Sequence, residues 1–125
     1  MLSFARRHAE PSHQGQGGQS HEPRPLRGGS ALDIYGLPGL KPEYKEAVIK
    51  GTGCALRALE AINLMHSSNS PWCLETAELC DGHPNLLELP EFTALREELK
   101  LSPQSFIQCG FGAISKTPTR ALANF

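Results

Sequence analysis

From Glu43 to about Met65 the apolar residues recur at helical spacing. Ala55, Ala58, Leu59, Ile62 and Met65 fall on one stripe, which predicts a helix with one face in a core. Gly51 and Gly53 interrupt the pattern and predict a kink or two abutting helices. Ser70 and Pro71 then break the chain, and Trp72, Cys73 and Leu74 form a short apolar run suited to a strand. Glu75 closes that run, so a strand over 72–75 is expected to end on an acid. The stretch "AELCDGHPNLLEL" carries the turn pairs Asp81-Gly82 and Pro84-Asn85 and reads as a loop. Pro90 suits the first turn of a short helix, with Phe92, Leu95 and Leu99 as its apolar face. "SFIQCGFG" (105–112) sets Ile107, Cys109 and Phe111 against Gln108 and Gly110, the alternation of a half-buried strand. "RALANF" (120–125) predicts one more strand.

The resulting order is α-β-α-β-β, half of an α/β sheet. Strands 72–75 and 106–111 are expected to be neighbours, with the helix of residues 54–65 across their face.

Residues 1–30 change the picture at the amino-terminal end. They are crowded with Gln, Gly, His, Pro and Ser, offer little to bury after Phe4, and read as a disordered arm. Residues 31–125 are then the folding unit. A unit of this size buries only about 60–65% of its unfolded surface, so its core has thin margins. Four arginines against two glutamates give the arm a charge of +2, which leaves the body at −3 within a net −1. No concentrated basic face of the kind that binds nucleic acid is visible. No run is long and apolar enough for a membrane span, and "MLSFARR" lacks the apolar stretch of a secretory signal. A soluble intracellular protein without a membrane partner is expected.

The four cysteines do not suggest a metal. Cys73 and Cys80 are separated by six residues, and no Cys-x-x-Cys pair exists to hold two ligands on one turn. Cys54 falls on the apolar helix face and Cys109 inside a strand, both expected as small core hydrophobes. "GTGCAL" (51–56) has Leu56 where a dinucleotide fingerprint needs glycine, and no strand precedes it. Glu75 has three readings: a working acid, a solvated strand end, or the remnant of a site.

Several stretches taken in order carry a resemblance. "PLRGGSALDIYGLPGL", "GTGCALRALEAINL", "SPWCLET", "LPEF" and "IQCGFGAISKTPTRALANF" resemble the latter part of a cytosine-5 DNA methyltransferase-like domain, of the divergent kind carried by phages and mobile elements. Such proteins carry a strand ending in Glu-Asn-Pro, a Leu-Pro helix, and a strand Gln-Cys-x-Phe/Tyr-Gly leading to Lys-Pro-Thr and a final Asn. Glu75 matches the glutamate. Gln108, Cys109, Phe111, Gly112, Pro118, Thr119 and Asn124 match the later block. The resemblance implies a partial Rossmann-like, methyltransferase-type sheet over residues 31–125.

The departures weaken the catalytic side of that resemblance. Thr76 and Ala77 stand where Asn and Pro belong, and Thr117 replaces the lysine of Lys-Pro-Thr, with Lys116 one position early. "SFARR" (3–7) resembles the segment that follows the family's nucleophilic cysteine, which would place that cysteine at or before Met1. The S-adenosylmethionine site would lie further upstream. The family's chemistry adds a thiolate to the cytosine ring, while the glutamate acts as a general acid worth ~10²–10⁴-fold in rate. Glu75 is thus expected to be a site remnant, in a truncated methyltransferase-like fragment that is inactive and binds no cofactor alone. Two other classes stay open. One is a protein-binding module that pairs with a companion chain or a copy of itself through an open sheet edge. The other is a weak DNA-binding accessory in which Lys116, Thr117, Thr119 and Arg120 touch phosphate.

Overall fold

A computed structural model describes residues 25–78, 84–112, 114 and 118–125. Helix α1 spans Pro42–Ser67, strand β1 Cys73–Ala77, helix α2 Pro90–Leu99, strand β2 Gln104–Ile107 and strand β3 Pro118–Ala123. Short 3-10 turns cover Asp33–Tyr35, Leu86–Glu88 and Gln108–Phe111.

Both helices begin on a proline, whose missing N–H falls among donors that a first helical turn leaves unpaired anyway. α1 is one continuous helix through Gly51 and Gly53, not two abutting helices. Packing outweighs the weak helix propensity of glycine here: Val48, Ala55 and Ile62 are buried along the helix, and Thr52 Oγ1 donates back to the Val48 carbonyl at 2.9 Å. Of the predicted stripe, Ala55 and Ile62 enter the core while Met65 remains 39% exposed.

Each helix closes with a left-handed residue that lets a later N–H reach back five positions. Asn69 has φ 53° and Ser70 N–H bonds the Met65 carbonyl; Lys100 has φ 54° and Leu101 N–H bonds the Arg96 carbonyl. Lysine pays a steric penalty in that conformation that glycine avoids. Lys100→Gly is therefore expected to raise stability by about 0.5–1 kcal/mol, read as a higher midpoint in urea unfolding.

The three strands form one sheet in the order β1-β3-β2, and both pairings are antiparallel. The fold is mixed α/β, as expected, but the sheet is not the parallel one of a Rossmann-type domain. Strands 72–75 and 106–111 do share a sheet, yet they are not neighbours, because β3 lies between them. β1 and β2 run in the same direction, each antiparallel to β3, and are joined through α2.

All three strands differ from their expected bounds: β3 begins two residues early at Pro118 and ends at Ala123 instead of running over 120–125. β1 continues past Glu75 to Ala77, and Glu78 N–H still bonds the Pro118 carbonyl at 3.0 Å. β2 stops at Ile107, opposite Pro118, so the residues expected to extend it to 112 form a 3-10 turn instead. Among the described residues β3 begins at Pro118, opposite Ile107, and Gly112 turns away with φ 90°. Cys109 is consequently exposed in a turn, and Cys54 is exposed on α1, where both had been expected in the core.

One core joins the layers. Ile34, Ala55, Ile62, Trp72, Leu87, Leu89, Phe92, Leu95 and Leu122 cluster together, with Leu59, Leu74 and Leu99 packed against them. The packed chain begins earlier than residue 31, where the polar arm was expected to end: Leu26 is 5% and Arg27 1% exposed. Leu37 N–H bonds the Leu26 carbonyl, tying this strap to the turn after Tyr35. Residues 1–24, the bulk of the expected arm, lie outside the described residues.

Candidate functional site

Cross-strand register decides what surrounds Glu75. Directly opposed residues point to the same side of a sheet. Leu74 faces Leu122, and both belong to the core, so the inner face also carries Thr76 with Arg120 and Ser105. The outer face carries Cys73 with Ala123, Glu75 with Ala121 and Gln104, and Ala77 with Thr119 and Phe106.

Glu75 thus stands in the middle of β1, exposed, opposite an alanine. Sequence reasoning put it at the carboxyl end of a strand, where ligands gather in open α/β sheets. That placement is overturned, because Thr76 and Ala77 keep pairing with Arg120 and Thr119. Among the described residues none donates a hydrogen bond to the Glu75 carboxylate.

The other candidates are not brought together around it. Thr119 is on the same face but 3% exposed, which withdraws its hydroxyl from a phosphate. Arg120 is on the opposite, inner face. Its Nη2 donates to Glu78 Oε1 at 3.2 Å, and Ser105 Oγ donates to the same oxygen at 2.9 Å. The Arg120–Glu78 pair is only about 30% exposed on each side, and its guanidinium is held by a carboxylate of its own chain. A phosphate would have to displace that carboxylate, a half-exposed pair worth on the order of 1 kcal/mol. Lys116 and Thr117 lie outside the described residues.

Several side chains that the sequence reading passed over organise this end of the sheet. Asn85, 4% exposed, donates through Nδ2 to Thr76 Oγ1 and to the Ala77 carbonyl, both at 2.8 Å. Its Oδ1 accepts from Leu87 N–H at 2.9 Å, while Glu88 returns a carboxylate to the Asn85 N–H at 3.2 Å. The Asn85-x-x-Glu88 spacing is the signal that could have revealed this capping box. At the opposite end Asn124, the final asparagine of the resemblance, clamps the start of β1. Its Oδ1 accepts from Trp72 N–H at 2.8 Å and its Nδ2 donates to the Ser70 carbonyl at 3.1 Å. In this chain Asn124 is a structural brace.

Arg27 forms the one charged centre buried among the described residues. Nη1 donates to the Ile34 carbonyl at 2.8 Å, and Nη2 to the Val48 carbonyl at 2.8 Å and Thr52 Oγ1 at 3.0 Å. A side chain at Gly51 would place its Cβ 3.3 Å from Nη2, so glycine there gives the guanidinium its berth against the helix. Burial lowers the Arg27 pKa to about 10, which still leaves it charged at neutral pH. Leu26, a lone apolar residue between Pro25 and Arg27 in an otherwise polar stretch, was the available sign that this segment packs.

Two shallow concavities lie elsewhere. One is a shallow hollow beside Tyr35, Pro38, Lys45 and Ile49; the other lies between Ser30, Ala31, Pro90 and Glu97. Neither includes Glu75, Thr119 or Arg120. Among the described residues no group of three His, Cys, Asp or Glu side chains is placed to hold a metal ion, and no helix is long and apolar enough to cross a membrane. No protein-family model, curated protein or solved structure matches this chain.

Proposed function

We propose that this chain is a non-catalytic part of a methyltransferase-like α/β domain, acting by joining its sheet to further protein through an open edge. The observation that carries this reading is the β1–α2–β2 crossover with unpaired outer edges. Two strands of like direction joined through a helix are the repeating unit of α/β sheets. No described strand pairs with the outer side of β1 or of β2.

Hydrogen-bond parity identifies what β1 offers. Glu78 N–H bonds Pro118 and Asn124 N–H bonds Trp72, so the backbone groups of Cys73, Glu75 and Ala77 point to the outer edge. Asn85 already occupies the Ala77 carbonyl, which leaves Cys73 and Glu75 as the pairing site. Such an edge is a template for another strand. Glu75 then takes part through its backbone, and its carboxylate is the remnant that the resemblance implies.

Calorimetry with S-adenosylmethionine, together with a radiolabelled-methyl assay on cytosine-containing DNA, tests the catalytic half of the proposal. No heat of binding and no incorporation are expected. Turnover that disappears in Glu75→Gln would overturn it. For the pairing half, mass measured by light scattering should rise with concentration or with an added companion chain. A salt-sensitive affinity for DNA with an invariant monomer mass would replace pairing by the accessory reading.

A further inference from the structure

The two shallow hollows adjoin at the Asp33–Tyr35 turn, and their linings carry opposite charge. Tyr35 borders the first and Ile34 the second. Tyr35 Oη also donates to the Glu91 carboxylate at 2.8 Å, which ties the wall of the first hollow to α2, the helix that lines the second. Among the described residues, Lys45 is the one charged side chain lining the first hollow. Glu88 and Glu97 are the charged side chains lining the second, and no cation lines it with them.

Between these charges the surface is apolar and open. Ile49 is 62% and Tyr35 40% exposed beside the first hollow, and Leu32, on the chain that joins the two, is 87% exposed. Ala31, Pro90 and Ala94 are exposed along the second. The hollows measure about 240 and 380 Å³. Small-molecule sites run from roughly 300 to 1,000 Å³ and enclose most of their ligand, which two shallow depressions of this size do not do. A protein surface is the better match.

We infer that this face is an interface between two copies of the chain, paired about a two-fold axis near Tyr35. In such a pair, what lies on one side of the axis meets what lies on the other side in the partner copy. Lys45 and Ile49 of each copy then meet the Ala31–Pro90 hollow of the other, with Lys45 beside the Glu97 carboxylate. One face supplies both halves of the fit, and each contact occurs twice. The ion pairs stay near solvent and are screened by salt, so a dissociation constant on the order of 100 µM is expected. None of these residues belongs to the sheet, so the contact is separate from strand pairing at Cys73 and Glu75.

Sedimentation equilibrium from roughly 10 µM to 1 mM protein spans that constant. The wild-type chain should pass from monomer to dimer and go no further. Lys45 and Glu97 are both exposed, so their exchange should leave the fold intact, checked by circular dichroism. Lys45→Glu sets like charges against each other at both contacts, as does Glu97→Lys, and each should raise the dissociation constant about tenfold or more. Mixed in equal amounts, the two variants present opposite charges at both contacts and should form a mixed dimer at about the wild-type affinity. Two variants that do not associate on mixing overturn the proposal. So does a wild-type mass that neither change alters, which would leave the strand edge as the source of association. A wild-type chain still monomeric at the highest concentration overturns it and assigns the face to an unlike partner. A mass growing beyond two copies overturns the two-fold axis in favour of a head-to-tail array.

Discussion

Arg27→Ala is expected to destabilise the fold by about 3–5 kcal/mol, measured as the loss of unfolding free energy in urea at pH 7. Two effects combine. The Ile34 carbonyl, in a residue 3% exposed, loses its charged donor at 2.8 Å, and a cavity opens between the strap, the Asp33–Tyr35 turn and α1. Domains of this class hold only about 5–15 kcal/mol in total, so the variant should be partly unfolded at 37 °C. Arg27→Lys separates charge from geometry. A single ammonium cannot serve acceptors on both the turn and the helix, so the lysine variant should fall between wild type and alanine. If lysine restored full stability, charge alone would be what matters. Because burial depresses the arginine pKa to about 10, the folded state releases this proton before the unfolded state does. From Arg27 alone, stability is therefore flat below about pH 10 and rises above it towards the ordinary arginine value. The alanine variant should lose that upward slope.

Phe92→Ala should have an effect of similar size, about 3–5 kcal/mol. Phe92 is fully buried at the point where α2 meets Leu87, Leu89, Leu122 and the apolar side of α1. A single core serves both layers here, so a void at its centre is not confined to one element. With ~4–8 °C lost per kcal/mol in a domain of this length, calorimetry should show a melting temperature lower by roughly 12–40 °C. Phe92→Leu, which refills most of the volume, should lose less than about 2 kcal/mol. Equal losses in the two variants would mean that ring shape, and not the void, controls the site.

The elements that sequence pattern located best are those decided by local rules. α1 follows the stripe through Ala55 and Ile62, and α2 begins at Pro90 and buries Phe92 and Leu95 as its periodicity requires. What pattern could not supply is which strand lies beside which. The run around Glu75 looks like a strand that ends because its apolar residues end. β1 in fact ends where β3 ceases to pair with it, and that is settled by Pro118, some 40 residues away. The same proline shortens β2. The candidate site suffered accordingly: Glu75, Thr119 and Arg120 are close along two paired strands, but register divides them between two faces. Arg27 was hidden for a different reason. Apart from Leu26 it is surrounded by Pro25, Gly28 and Gly29, which read as solvated chain, and its partners are two backbone carbonyls and a helix threonine with no sequence signature.

Placing the latest strand in the middle of the sheet has a consequence for how the protein is made. β1 and β2 share no hydrogen bonds and can enter the sheet only through β3, which is synthesised after both. Roughly 40 residues separate the end of β1 from the start of β3, so at ~5–20 residues per second a nascent β1 waits about 2–8 s for its partner. During that interval Trp72 and Leu74 lack their sheet, while α1 and α2 can already form from local contacts. Until Pro118–Ala123 emerges, β1 and β2 have no strand of this sheet to pair with.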